Sequence, residues 1–174
     1  MYQHYVSLPF DVIYAIDFEF YGDDGENPQV VCLVIQDLRT GDISRYWRDE
    51  LLKMKTPPFK TGENTLIVTF FASAEIQSML ALNWPTNITV IDLFTEFRCA
   101  TNGNPDVGRK GLINALAYYQ LDHLIPEQKD AMRALIRSGG PWSKDQKQAI
   151  LDYCTEDVVA LAPLLDAMLS ENPW

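Results

Sequence analysis

Residues 65–98 alternate strand, helix, strand, helix, and that order limits the chain to a sheet with parallel pairing and helices on its faces. "TLIVTFF" (65–71) reads as a buried strand, and "SAEIQSMLALNW" (73–84) as a helix stopped by Pro85. "ITVI" (88–91) and "DLFTEFR" (92–98) repeat the pattern. Upstream, "DVIYAIDFEF" (11–20) and "QVVCLVIQDL" (29–38) are rich in β-branched and aromatic residues and flank the turn-rich "YGDDGENP", which predicts a hairpin. "DISRYW" (42–47) follows the turn at Thr40-Gly41, so the first three strands form an antiparallel meander. Further helices are expected near 110–120 and over 126–137, beyond the loop "TNGNPDVG" (101–108).

The last helix opens on "SKDQ", where Ser143 caps and Gln146 reaches back, the pattern of a capping box. Ile150, Cys154, Val158, Leu161 and Leu165 then recur at helical spacing and predict a core-facing stripe. Pro163 removes a backbone donor and is expected to bend or interrupt this helix. With 174 residues, 47% of them apolar, and neither a repeat nor a low-complexity linker, one domain over 1–174 is the expectation.

Several chemistries lack material. Three widely spaced cysteines, Cys32, Cys99 and Cys154, contain no CxxC pair and argue against a disulfide framework or a structural zinc site. Two histidines, His4 and His123, give little for a histidine-rich metal site or a Ser-His-Asp triad, so carboxylates must carry any catalysis. "MYQHYVSLPF" lacks the blocks of a signal peptide, and no apolar run approaches the roughly 18 residues of a membrane helix. A cytoplasmic protein with no membrane partner is the expectation. A net charge of −10 opposes broad duplex binding, yet part of it can be a carboxylate cluster that divalent cations neutralise.

Such a cluster has candidates. In a strand, Asp17 and Glu19 share one face while Ile16, Phe18 and Phe20 take the other. Two carboxylates that close repel unless a cation or proton intervenes, and hard oxygen ligands favour Mg²⁺ or Mn²⁺. The plain alternative is a solvated strand end. "YCTED" (153–157) places Tyr153 and Asp157 at i and i+4, a phenol beside a carboxylate on one helix face.

Asp17-x-Glu19 early and Tyr153-x-x-x-Asp157 late, each in the expected element, resemble the tyrosine branch of the DEDD 3′–5′ exonucleases, which includes the proofreading domain of family A DNA polymerases and the ribonuclease D-like enzymes. The histidine branch would carry His at position 152, which is Asp152 here. The resemblance implies a ribonuclease H-like α/β fold: a mixed five-stranded sheet, second strand antiparallel, flanked by helices. It implies two Mg²⁺ or Mn²⁺ ions that activate water and stabilise the departing 3′ oxygen, with Tyr153 orienting the water. Counting the middle motif onto "TFFASAE" puts Glu75 at the acidic position, where the family has Asp, and Phe71 where it commonly has Asn. Asp92 is the alternative middle acid and is also a ready helix N-cap. The implied metal ligands are therefore Asp17, Glu19, Glu75 and Asp157, with Tyr153 completing the catalytic set.

The implied substrate is the 3′ end of single-stranded DNA, with proofreading for a DNA polymerase in trans as one setting. The alternatives are an RNA exonuclease of the ribonuclease D kind and an inactive nuclease-like binding or scaffolding module. Phe18, Phe70 and Phe71 are candidates for base stacking or for core packing. Arg98, Arg109 and Lys110 flank the glycine-rich loop, where they either track phosphates or form a solvated face.

Overall fold

The structure, a computed structural model, describes residues 4–23, 25–105, 107–122 and 126–171. Five strands form one sheet: β1 (Val12–Tyr21), β2 (Gln29–Asp37), β3 (Ile43–Trp47), β4 (Thr65–Thr69) and β5 (Thr89–Asp92). Their spatial order is β3-β2-β1-β4-β5. β2 runs antiparallel to β1 and to β3, whereas β1 with β4 and β4 with β5 pair in parallel, so the meander and the βαβα half meet at β1.

Six helices accompany the sheet among the described residues: α1 (Arg48–Leu51), α2 (Ala72–Ala81), α3 (Leu93–Ala100), α4 (Leu112–Tyr118), α5 (Pro126–Arg137) and α6 (Lys144–Glu171). β4 ends two residues sooner than its apolar run suggests, because Phe71 already takes the non-helical N-cap position of α2. α1 is a single turn after β3, too short to leave a periodic signal.

Alternation along β1 splits its side chains between two cores. Ile13 and Ala15 pack with α6, in a cluster that holds Ile150, Cys154, Val158, Leu161 and Leu165. Ile16 and Phe18 pack on the other face with Met79 of α2 and with Trp84. All five stripe residues of α6 are essentially fully buried, each apolar side chain contributing roughly 1.5–3 kcal/mol. The capping box forms as read: the Ser143 amide donates to Gln146 Oε1 at 2.8 Å, and the Gln146 amide donates to Ser143 Oγ at 3.2 Å.

Of the bend or interruption expected at Pro163, the interruption does not occur: α6 continues through it. A proline inside a helix costs ~3 kcal/mol or more. Leu161, Leu164 and Leu165, all buried, hold both sides of it against the core and offset that loss. The turn after α5 carries Gly139 and Gly140, both at positive φ. A Cβ at Gly139 would come within 3.2 Å of the Tyr21 ring, so this turn packs directly on the end of β1.

Candidate active site

The β1–β4 ladder closes at Ala15 opposite Val68, and β4 stops at Thr69, but β1 continues to Tyr21. Asp17 and Glu19 lie on this overhang, in the crevice outside the carboxyl ends of the parallel strands, where open α/β sheets bind ligands. β2 still supports them from the other side, Val34 opposite Asp17 and Cys32 opposite Glu19. A register shift between Glu19 and Phe20 then ends the strict alternation, and Phe20 joins Glu19 in lining one cleft.

Both carboxylates point toward α6, where they meet Cys154. One oxygen from each and the Cys154 sulfur all lie within 4.8 Å of one another. The thiol approaches both Asp17 Oδ2 and the Asp17 carbonyl oxygen at 3.3 Å, so its S–H can donate to either. Burial holds the thiol well above its usual range, which keeps it protonated. Cys154 was legible as a member of the apolar stripe; its position beside the acids was not.

Glu75 enters from α2 on the opposite side. It is 4% exposed, and its Oε2 accepts the Phe18 amide at 3.0 Å. With β4 ended, this carboxylate serves a backbone donor on the free edge of β1. Asp92 sits at the end of β5, and its Oδ1 accepts both the Phe94 amide (3.0 Å) and the Thr95 amide (3.3 Å), the N-cap of α3. Of the two middle acids, Glu75 is the one electrostatically coupled to both Asp17 and Glu19.

Asp157 lies one helical turn beyond Tyr153 on α6. Its Oδ1 accepts a 2.6 Å hydrogen bond from Lys129 Nζ of α5, an ion pair with side chains only 15% and 4% exposed. The same ammonium sits 5.5 Å from the centroid of the Tyr153 ring. Sequence reading missed Lys129, because "KDAMR" resembles any solvated helix face and the partner is 28 residues away.

The acids feel one another. Burial, and then the charge of Asp157, push the Asp17 carboxyl up to about 7, with the Cys154 hydrogen bond and Lys129 pulling the other way. Burial, followed by the charge of Asp17, lifts Glu19 well above the carboxylate range. Glu75 is lifted likewise by burial and Asp17, against the Phe18 amide. Tyr153 is buried, and burial followed by Asp157 raises its phenol, so the hydroxyl keeps its proton. Among the described residues, one ion pair, Lys129–Asp157, reaches this group of acids. Clustered carboxylate oxygens with too little positive charge are a donor set suited to a hard divalent cation.

Other readings separate cleanly. Phe18 is core, 3% exposed and tilted against Trp84. Phe70 is partly buried, while Phe71 is 47% exposed and meets Phe94 edge to face at 5.1 Å. Lys110 donates to Thr101 Oγ1 at 2.7 Å, and Arg98 lies 5.5 Å from the Phe94 ring centroid; both line a separate cleft of about 580 Å³. Asp152 pairs at the surface with Arg45 at 2.7 Å. No described helix is long and apolar enough to cross a membrane.

No family model matches the sequence, and no curated protein matches it significantly. Solved structures do. One is described as the apo form of the nuclease: TM-score 0.62, 18% identity, 92% of this chain and 73% of that one covered. The fold is ribonuclease H-like. A family B DNA polymerase from the archaeon Pyrobaculum calidifontis aligns over 92% of this chain and 24% of its own length, at TM-score 0.50 and 14% identity. The EXO domain of Aedes aegypti Nibbler aligns over 92% and 80%, at TM-score 0.45 and 10% identity. The ribonuclease H-like sheet thus carries its acids at the carboxyl ends of β1 and β5 and at the start of α2 and the middle of α6.

Proposed function

We propose that this chain is a metal-dependent 3′–5′ exonuclease of the tyrosine-branch DEDD kind, removing nucleotides from single-stranded DNA ends. The observation that carries the reading is the convergence of Asp17 and Glu19 with an α6 side chain, Cys154, within 4.8 Å, where burial and then the surrounding acids, Asp157 among them, make both carboxyls harder to ionise. Asp17, Glu19, Asp157 and Glu75 would hold Mg²⁺ or Mn²⁺, which supplies positive charge to acidify a water and to stabilise the oxygens of the phosphodiester as it is cut. Tyr153 keeps its proton and acts as a hydrogen-bond donor toward water or a phosphate oxygen, not as a base. Cys154 fixes the Asp17 carboxylate through its S–H, and Lys129 fixes that of Asp157. Glu75 anchors the edge of β1 on which both acids of the DxE motif stand.

A 5′-labelled oligonucleotide incubated with Mg²⁺ or Mn²⁺ tests the reading. Stepwise shortening from the 3′ end that vanishes in Asp157→Asn and Asp17→Asn is expected. A wild-type chain that leaves DNA and RNA intact removes the enzyme reading. Running oligo(dT) beside oligo(rU) decides between DNA and the ribonuclease D-like alternative. Service to a DNA polymerase in trans, and a cytoplasmic setting, belong to the same proposal.

One observation favours a second reading, an inactive nuclease-like binding module: Glu75 is engaged by the Phe18 amide and Asp157 by Lys129. That module would bind the oligonucleotide without shortening it.

A further inference from the structure

The cleft that begins at Glu19 has two walls: Glu19, Phe20 and Tyr21 at the end of β1, and Arg133, Ile136 and Arg137 on α5, enclosing about 290 Å³. Cations recur along α5 at 129, 133 and 137, steps of four residues that keep them on neighbouring turns of one face. Among the described residues, the innermost, Lys129, is neutralised by a close buried partner and the other two are not. Arg133 has a 3.7 Å contact with Asp130, both exposed, which is worth little. The Arg137 guanidinium has no ion pair among the described residues. In a chain of net charge −10, two guanidinium groups without a buried counter-charge among the described residues, facing Glu19 across one cleft, are a local reversal of sign.

A pocket of acids repels the strand it is meant to receive, so an approach lane of opposite charge is required for phosphates to reach it. Resting on the nuclease reading, we propose that Arg133 and Arg137 form that lane, seating consecutive backbone phosphates of the single strand next to the bond that is cut. Four helical residues rise about 6 Å, close to the separation of neighbouring phosphates in an extended strand. The guanidinium fork pairs with phosphate oxygens two at a time, which gives direction as well as attraction. Ile136 is 2% exposed and fixes this face of the helix against the core, and the rings of Phe20 and Tyr21 give the cleft an opposite wall for sugars or bases. Glu19 lines the same cleft as Arg133 and Arg137, so the lane ends at the candidate site. Phosphates are common to DNA and RNA, and the lane does not distinguish them.

The test is the salt dependence of binding. Fluorescein-labelled oligo(dT) and oligo(rU) are titrated by anisotropy with Ca²⁺ in place of the catalytic ion, between 50 and 200 mM KCl. Each phosphate contact contributes about 0.7 to the slope of log K against log salt for a single strand. R133Q/R137Q should therefore lower the slope by about 1.4, and its affinity deficit should shrink about sevenfold across that fourfold salt range. R133K/R137K, which keeps both charges, should retain the wild-type slope and serves as the folding control. R98Q, in the separate cleft, should leave it unchanged. A wild-type slope in R133Q/R137Q overturns the lane while leaving the exonuclease reading intact, as does a loss confined to one of the two oligonucleotides. A wild-type chain that neither binds nor shortens either strand removes the exonuclease reading and the lane together.

Discussion

Replacing Lys129 by Met removes the ammonium and keeps most of the stem, so it isolates the charge. The pair is tight, 2.6 Å between Nζ and Oδ1, with side chains 4% and 15% exposed. Deleting one partner of a buried pair costs about 3–5 kcal/mol, because the other charge is left uncompensated. For a chain of this length each kcal/mol moves Tm by about 2–4 °C, so the metal-free variant should melt about 6–20 °C below wild type. Thermal unfolding in EDTA measures this. Mn²⁺ should stabilise the variant more than wild type, since a bound cation replaces the missing charge. A variant as stable as wild type would refute the reasoning.

Glu75→Gln keeps an acceptor for the Phe18 amide and should stay close to wild-type stability while weakening divalent-ion binding; Glu75→Leu strands that amide and should cost about 1–3 kcal/mol in urea unfolding. Asp17 is raised to about 7 when folded, so between pH 4 and 7 the native state holds a proton that the unfolded chain has shed. Metal-free stability should therefore fall as pH rises through that window, and Asp17→Asn should flatten the decline; a decline of equal size in both proteins sinks the assignment. Ser143→Ala removes the acceptor for the Gln146 amide and should cost about 1 kcal/mol, read as a Tm drop of about 2–4 °C.

Local rules made much of the molecule legible. Period-2 alternation placed Asp17 and Glu19 on one face, since the two sides of β1 must feed two different cores. The Ser143–Gln146 box needs only four residues to announce itself. What stayed hidden depends on contacts between distant segments. Lys129 gains its meaning from Asp157 across the α5–α6 interface, and Cys154 gains its own from an overhang of β1 that exists because β4 ends at Thr69. The 129, 133, 137 spacing is present in the sequence, but nothing local distinguishes it from the cations Arg98, Arg109 and Lys110 around the glycine-rich loop; the fold does, by setting α5 against the end of β1. Pro163 carried a true local cost that buried leucines on both sides outweigh.

Isothermal titration of Mn²⁺ into the metal-free chain, compared with the double variant Asp17→Asn/Asp157→Asn, bears most directly on the central claim. Two ions bound by wild type and a loss of both, or of the tighter one, in the double variant is the predicted result. Equal Mn²⁺ binding by the two proteins, or none by wild type, would contradict it.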